Sequence, residues 1–312
     1  MKRKSQSIAM RLFRCIPARL REQAKRLLVS DGHRGGVLDE WRAMRLAKGS
    51  KKASQLSRFC KGRILEVMGG SLEDSAVMEY GAGFLMAEPL IYSMYGAGRI
   101  DAVDYNPVLR RKVLRHYAMH SDWTEAMKVA ASVMGSQKVL DWKSRLDRAL
   151  MDPSEDWFEA LGIHYIAPYD VTTMEKLEPS YDLIVSQSTL EHVPSAQAAT
   201  ILHSLGRLVK SGGKMYHYIH LEDHRDFNRD PFAFLGATDD YEDGQADARG
   251  NRLRASEWMR ILENVEGFGW DTYTHPIRSD IALPSPLLER YRTYDPEDLM
   301  TSHLTVKGFR LS

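Results

Sequence analysis

The chain has 312 residues, of which 43% are hydrophobic and 27% charged. This composition excludes the collagen-like, disordered and disulfide-rich classes, which need strong biases in glycine, charge or cysteine. The 43 basic and 42 acidic residues leave a net charge of +1, so charge alone favours neither a nucleic acid nor a membrane as partner. Cys15 and Cys60 are too few for a disulfide framework, and a reducing, cytoplasmic location is expected. No run approaches the roughly 20 apolar residues of a membrane span.

The first 28 residues form a basic arm, with nine Lys or Arg and one acid, Glu22. Apolar residues recur at helical spacing over 20–28, which predicts a basic helical N-terminal extension over 1–60 that packs its apolar stripe on the main domain. Two alternatives stay open, a helix in contact with an anionic membrane surface and a transit peptide. Because Phe13 is the only aromatic residue of the arm, no nucleic acid partner is expected.

From residue 76 onward, short apolar runs alternate with helical stretches. Strands that alternate with helices pair in parallel through right-handed crossovers, which predicts an open α/β sheet. The predicted strands are 76–80, 99–104, 164–170, 181–187 and 214–219, then 269–277 and 303–311 as an antiparallel pair at the sheet edge; the predicted helices are 89–95, 108–120 and 195–209. Residues 121–162, which hold three of the six tryptophans, are predicted to form a largely helical insertion.

The ends of the first two strands carry the first candidate site, since ligands of an open sheet bind beyond the carboxyl ends of its strands. Gly81 and Gly83 let the backbone turn sharply and approach a ligand. Asp104, 21 residues after Gly83, can accept hydrogen bonds from both hydroxyls of a ribose. A dinucleotide site requires a third glycine, and the chain has Met86 there. We therefore favour an S-adenosyl ligand and keep an NAD(P)-dependent oxidoreductase as the alternative.

Six motifs between residues 77 and 219 give the chain a wider pattern, through which it resembles the class I S-adenosylmethionine-dependent methyltransferases. The motifs are Glu79-Tyr-Gly-Ala-Gly83, Ala102-Val-Asp-Tyr-Asn-Pro107, Tyr169-Asp170, Tyr181-Asp-Leu-Ile-Val-Ser186, Leu190-Glu-His-Val193 and Leu208-Val-Lys-Ser-Gly-Gly213. The resemblance implies a Rossmann-like α/β fold over 61–312, with a mostly parallel seven-stranded sheet, helices on both faces and an antiparallel last strand. It also implies S-adenosyl-L-methionine as the cofactor.

The same resemblance assigns parts of the donor to groups of residues. The glycine turn holds the amino-acid end of the donor. Asp104 binds the ribose, and the residue after it lies beside the adenine. A pair after the third strand lies against the adenine amine, and a pair at the end of the fourth strand meets the methionine moiety. These residues are, in that order, Glu79, Tyr80, Gly81, Ala82 and Gly83; Asp104 and Tyr105; Asp170 and Val171; Ser186 and Gln187. For Asp170 and Gln187 a helix cap or loop role is the alternative.

A narrower resemblance covers the C-terminal half. Residues 217–224, 230–235 and 251–254 look like a group of bacterial methyltransferases from surface-polysaccharide and natural-product pathways. It implies O-methylation of a small or lipid-linked hydroxyl and an acceptor-side lid over 222–260. Asn251, Arg252 and Arg254 are predicted to bind the acceptor, because arginine grips phosphate or carboxylate groups. The alternative for an arginine is a pair with the acidic stretch at 239–247.

A hydroxyl acceptor must lose a proton, and histidine suits that task because its unperturbed pKa lies near 6.5. His192 follows the fourth predicted strand and His217 lies on the fifth, so we predict that one of them is the general base. Glu191, Asp223 and His224 are predicted to orient the base or to bind acceptor hydroxyls. For each histidine, a packed or hydrogen-bonded role is the alternative.

The fifth strand and its continuation also offer groups that suit a metal ion, namely His217, His220, Asp223 and His224. Their spacing matches no recognised ligand pattern, so the site is predicted to be free of metal. The expected partner is a small-molecule acceptor. A catalytically inactive, donor-binding partner subunit is the non-enzymatic alternative.

Overall fold

The computed structural model describes residues 51–173, 178–236 and 249–311. The predicted basic arm and the acidic stretch at 239–247 lie outside the described residues. Within these ranges, no helix is long and apolar enough to cross a membrane.

Strands and helices alternate along the described chain. The strands are β1 (Ala76–Tyr80), β2 (Arg99–Val103), β3 (Ile163–Ile166), β4 (Tyr181–Gln187), β5 (Val209–His220), β6 (Phe268–Thr274) and β7 (His303–Arg310). The α-helices are α1 (Lys51–Phe59), α2 (Leu65–Val67), α3 (Ala87–Met94), α4 (Arg111–His120), α5 (Thr124–Met134), α6 (Ser136–Met151), α7 (Ala198–Leu208), α8 (Ala255–Glu263) and α9 (Pro296–Leu299). A π-helical segment, Cys60–Ile64, joins α1 to α2, and a 3₁₀ turn, Leu190–His192, follows β4.

The seven strands form one sheet in the order β3-β2-β1-β4-β5-β7-β6. β1 lies parallel to β2 and β4, with Val77 opposite both Ile100 and Leu183. β7 runs antiparallel to its two neighbours, β5 and β6. The predicted fold class, a mostly parallel seven-stranded sheet with an antiparallel last strand, is confirmed.

Successive side chains of the central strands enter two cores on opposite faces of the sheet, because a strand alternates its side chains. Val77 and Leu183 belong to the first core, which includes residues of α3, α4, α5 and α6. Met78 and Ile184 belong to the second core, which includes residues of α7 and α8. Burial on both faces explains why these parallel strands are continuous apolar runs in the sequence.

The predicted domain boundary at residue 60 needs correction. Cys60 and Ile64 are fully buried in a helical segment that runs without interruption from α1 into α2. Ser57 donates a hydrogen bond from Oγ to the carbonyl oxygen of Ala126 on α5, at 2.8 Å. The described part of the N-terminal extension is therefore joined to the predicted helical insertion, where α5 and α6 lie, and to the main core.

Two strands, β3 and β5, differ most from their predicted limits. β3 ends at Ile166, before Pro168, which has no N–H to donate to a strand ladder. β5 begins at Val209 instead of Lys214, and its pairing with β4 shifts register over this stretch. Gly212, which precedes the predicted strand at 214–219, is thus part of an irregularity inside the observed one.

Candidate active site

The strand order reverses between β1 and β4. From β1 the chain moves outward through β2 and β3, and it then returns to place β4 on the other side of β1. In open α/β sheets the carboxyl ends of the strands at such a reversal form the crevice in which ligands bind. The residues that follow β1, β2, β4 and β5 are therefore the candidates for function.

The turn after β1 is built from glycines in the left-handed region, with φ of +83° at Gly81 and +71° at Gly83. The N–H of Gly81 donates to the carbonyl of Val103 on β2, at 2.8 Å. A Cβ added at Gly81 would lie 2.2 Å from side-chain atoms of Thr189, which follows β4. The glycine therefore lets the ends of β1 and β4 approach each other closely.

Asp104 follows β2, and its two carboxylate oxygens have different surroundings. Its Oδ1 accepts a hydrogen bond from the N–H of Gly83 at 3.0 Å, and its Oδ2 is buried without a hydrogen-bond partner among the described residues. Burial raises the pKa of this carboxyl, while the Gly83 N–H and the nearby hydroxyl of Tyr165 act in the opposite direction. The next residue, Tyr105, is 64% exposed and can offer its ring face to a ligand. This arrangement fits a ribose on Asp104 with a base beside Tyr105.

The other residues of the glycine motif contribute to the core. Glu79 is fully buried and accepts a hydrogen bond from the hydroxyl of Tyr92 at 2.8 Å, and burial raises the pKa of its carboxyl well above the ordinary range. Tyr80 is buried, which raises the pKa of its hydroxyl to about 12. Ala82 packs on the first core. These side chains support the turn from the core. The backbone of the turn is therefore the part that a ligand could contact.

The two residues predicted to lie against the adenine amine, Asp170 and Val171, differ in their contacts. Oδ1 of Asp170 accepts hydrogen bonds from the N–H and the hydroxyl of Thr172, at 2.9 and 2.6 Å. Asp170 thus makes the loop contacts that the sequence left as the alternative. The side chain of Val171 is buried in the second core, so only its backbone could meet a ligand.

Ser186 and His217 do not reach the strand ends, and their predicted roles need correction. Both are fully buried, with 2.8 Å between Ser186 Oγ and His217 Nδ1. His217 Nε2 lies 3.3 Å from Met215 Sδ, and the ring stacks on Trp270. Burial lowers the pKa of His217 to about 3. Strand alternation sends Met215 and His217 into the second core, so His217 is a packed histidine instead of a base.

Buried polar atoms without hydrogen-bond partners among the described residues gather at this edge of the sheet. They include Asp104 Oδ2, Gln187 Nε2 and both carboxylate oxygens of Glu191. Such atoms are uncommon in folded proteins, because each one lost a hydrogen bond to water. Others lie within the cores, such as the indole N–H of Trp142. Gln187 and Glu191 are therefore candidate functional groups at this edge.

Four side chains meet beyond β4 and β5, and we call them the histidine cluster: Glu191, His192, His220 and His224. His224 Nε2 lies 3.0 Å from His220 Nδ1 and 4.0 Å from Glu191 Oε1. The rings of His192 and His224 lie edge to face with centroids 4.7 Å apart. Burial raises the pKa of Glu191 to about 8 and lowers that of His224 to about 4. The structure thus brings together four residues that the sequence analysis named.

His220, Glu222 and Arg278 add a chain of contacts that the sequence analysis missed. His220 Nε2 lies 2.9 Å from Glu222 Oε2, and Glu222 Oε1 accepts a hydrogen bond from Arg278 at 2.7 Å. Strand periodicity contained a signal for His220, because it lies three residues after His217 and so points to the opposite face. Arg278 comes from a distant loop, and no local pattern indicates its contact.

Asp223 and Asn251 hold the cluster's backbone, which corrects their predicted contact with an acceptor. Asp223 is fully buried and pairs with Arg249 at 2.6 Å. The side-chain amide of Asn251 donates to the carbonyls of Leu190 and Val193, both at 2.9 Å. Asn251 therefore fixes the position of the turn that carries Glu191 and His192, whereas Asp223 holds Arg249, whose carbonyl accepts the N–H of His224.

The predicted acceptor-binding arginines are also engaged with the protein. Arg254 is fully buried and donates to the carbonyls of Leu221 and Thr301, both at 2.7 Å. Its position excludes contact with an acceptor, so this prediction was wrong. Arg252 is half-buried and donates to the carbonyl of Phe234 at 3.0 Å. Both arginines thus tie loops together.

No protein-family profile and no curated protein matches the sequence. The fold is similar to that of a chain described as an S-adenosylmethionine-dependent methyltransferase from Listeria monocytogenes, at 14% identity over 79% of this chain and 97% of that chain, with a TM-score of 0.43. An S-adenosylmethionine-dependent methyltransferase from Mesorhizobium loti matches at 14% identity over 79% and 96%, with a TM-score of 0.41. A chain described as an exported protein from Bordetella parapertussis matches at 14% identity over 84% and 68%, with a TM-score of 0.42. These identities and TM-scores do not decide the activity.

Proposed function

We propose that the protein is an S-adenosylmethionine-dependent methyltransferase that acts on a hydroxyl oxygen. The observation that carries the proposal is the buried Oδ2 of Asp104, which has no hydrogen-bond partner among the described residues and lies beside the turn of Gly81 and Gly83. A carboxylate after the second strand suits the two hydroxyls of a ribose. The glycine turn gives the amino-acid end of the donor access to backbone groups.

Met86 favours this donor over a dinucleotide. It occupies the position of the third glycine, has a left-handed φ of +49° and is fully buried immediately before α3. A dinucleotide site uses a glycine there so that the helix packs closely on the strand and its N-terminus meets the pyrophosphate. S-adenosylmethionine has no pyrophosphate, so a buried methionine is compatible with it.

The histidine cluster supports an oxygen acceptor. When bound, S-adenosylmethionine supplies a methyl group that is already activated on a sulfonium. The protein must hold a nucleophile in line with the carbon–sulfur bond and take up the hydroxyl proton. The cluster lies next to the glycine turn, because Thr189, whose hydroxyl is 3.4 Å from the carbonyl of Gly81, directly precedes the turn with Glu191 and His192. The imidazole nitrogens of His192, His220 and His224 are its proton acceptors.

A small or lipid-linked acceptor with a sugar-like or natural-product ring is our proposal for the substrate. Phe227 is 46% exposed and lies edge to face with His220, with ring centroids 5.9 Å apart. An exposed aromatic ring beside polar groups suits contact with the apolar face of such an acceptor, while the cluster receives its hydroxyl.

Calorimetry on the full chain tests the donor assignment. We expect one-site binding of S-adenosylhomocysteine and no binding of NAD⁺ at the same concentration. Binding of NAD⁺ without S-adenosyl binding would instead establish the oxidoreductase alternative. Transfer of a labelled methyl group to hydroxylated sugars and phenols, with the corresponding amines as matched controls, tests the acceptor. Label found on nitrogen alone would contradict O-methylation.

A further inference from the structure

Glu191, His192 and His224 direct ligand-type atoms towards a common point. One nitrogen or oxygen of each residue lies within 4.8 Å of the other two, and Glu191 Oε1 is 4.0 Å from His224 Nε2. Around a tetrahedral divalent ion with bonds of about 2.1 Å, neighbouring ligand atoms are about 3.4 Å apart. Side-chain movements of about an ångström therefore bring the three atoms to bonding distance of one ion.

The carboxylate of Glu191 is an independent indication of a bound cation. Its side chain is 1% exposed, and neither oxygen has a well-formed hydrogen bond among the residues that the structure describes. Burial raises the pKa of this carboxyl to about 8, and the backbone N–H of His220 and the hydroxyl of Ser188, which lower it, do not offset the effect of burial. Buried carboxylates are normally paired with a cation or with several donors, because burial removes their hydration. A cation between Glu191 and two imidazoles supplies the missing partner.

The backbone that carries these side chains is fixed from both sides. Asn251 bonds the carbonyls of Leu190 and Val193, which bracket Glu191 and His192. The N–H of His224 donates to the carbonyl of Arg249 at 3.1 Å. A metal site needs ligands held near their bonding geometry, and these contacts provide that support.

We propose that Glu191, His192 and His224 bind a divalent transition-metal ion next to the donor site, and that this ion holds the acceptor hydroxyl. Two imidazoles and one carboxylate form a ligand set that suits zinc, manganese or iron(II) and leaves coordination positions open. The site therefore differs from the metal-free one that the sequence predicted. The role of the ion towards the acceptor rests on the proposed function, whereas ion binding itself does not.

The contacts of His220 complete the chemistry. An ion on Nε2 of His224 replaces the hydrogen bond between that nitrogen and Nδ1 of His220, while Glu222 keeps its contact with His220 Nε2. An ion held there would make the acceptor hydroxyl more acidic, and the released Nδ1 of His220 would take up its proton. The acceptor oxygen would then bond to the methyl carbon, and the electrons of the broken carbon–sulfur bond would remain on sulfur.

A titration with Co²⁺, followed by visible absorption, tests the ion site on the full chain without donor or acceptor. His116 and His120 offer a second, surface site for cobalt, since their ring centroids are 4.3 Å apart. The His116→Ala/His120→Ala variant is therefore the background. We expect one equivalent of Co²⁺ to saturate it. Glu191→Gln, which keeps the size of the side chain, and His224→Ala should each weaken binding by about 10-fold or more.

His203→Ala on α7 is the matched control, because His203 is exposed and lies outside the cluster. It should bind Co²⁺ like the background. The proposal is overturned if the background shows no saturable absorption, or if Glu191→Gln and His224→Ala saturate at the same cobalt concentration. Donor binding, measured on the same samples, separates the two proposals. Cobalt binding without S-adenosyl binding would refute the methyltransferase and keep the ion site, and the reverse result would refute the ion site alone.

Discussion

The carboxyl ends of β1 and β2 differ from those of β4 and β5 in what they offer a ligand. The first pair presents a glycine backbone and one carboxylate, Asp104, held on one side by Gly83. The second pair presents the histidine cluster, whose imidazoles and carboxylate lie close enough to share protons or an ion. Recognition at the first region depends on shape and on a few fixed hydrogen bonds. Chemistry at the second depends on what its titratable groups bind.

β5 repeats this contrast within a single strand. His217 faces the second core, where Ser186 and Met215 occupy its two nitrogens. His220 faces the cluster, where His224 and Glu222 contact its nitrogens. Three residues of separation thus place one histidine in a purely structural setting and the other in the candidate active site.

The largest effect is expected from replacing the histidine that faces the cluster and comparing it with a replacement of the histidine that faces the core. His220→Ala should lower turnover by roughly 10²- to 10⁴-fold, the usual contribution of a group that moves a proton in the transition state. His217→Gln should leave the turnover of folded protein close to wild type, because His217 has no exposed surface. Steady-state kinetics with donor affinity measured in parallel checks both. Equal losses in the two variants would erase the contrast within β5.

A smaller effect is expected at the donor side, where Asp104 and Asp101 lie three residues apart. Asp104→Asn keeps an oxygen for the N–H of Gly83 but removes the charge that faces the ribose. Donor binding should weaken by about 1.5–3 kcal/mol, or about 10- to 150-fold, the range for hydrogen bonds to charged groups.

Asp101→Asn is the matched control for that experiment. Asp101 is buried and accepts hydrogen bonds from Arg99 at 2.8 Å and from the hydroxyl of Tyr181 at 2.6 Å. Its replacement should lower the melting temperature and leave donor affinity unchanged. Calorimetry and thermal unfolding of the two variants provide the comparison. If Asp101→Asn weakened donor binding as much as Asp104→Asn, the assignment of the ribose to Asp104 would fail.

The sequence predicted the placement of the residues after β1 and β2 better than that of the residues beyond β4 and β5, for a physical reason. Gly81, Gly83 and Asp104 act through backbone conformation and strand ends, which local spacing reveals. The parallel pairing of the first five strands follows from the alternation of helices and strands. The roles of Asn251 and Arg254 depend on carbonyl groups of distant loops, so their types alone suggested ligand contacts that the fold uses internally.

His217 shows a second limit of the sequence. Its place on the fifth predicted strand was visible, but the core that receives its side chain exists only once β6 and α8 are packed against the strand. The same applies to Cys60, where composition indicated an extension and the fold buries the residue. Predictions failed where a side chain's direction was known and its surroundings were not.

The smallest expected effect concerns stability and pH at His217. Burial lowers the pKa of His217 to about 3, so the folded protein keeps the ring neutral down to that pH. In the unfolded chain the ring takes up a proton below about pH 6.5. The unfolded state therefore binds more protons between these values, and the free energy of unfolding falls as the pH falls from about 6.5 towards 3.

His217→Gln removes this titration and keeps a polar group for Ser186. Between pH 7.5 and 5.5, the wild-type protein should lose about 1.4 kcal/mol more of its free energy of unfolding than the variant. Urea unfolding of both proteins at the two pH values measures the difference, and the pH dependence due to His224 is common to both. An identical loss in the two proteins would mean that His217 is protonated in the folded state. The ring would then have access to water, and the division of β5 into a structural and a functional face would no longer hold.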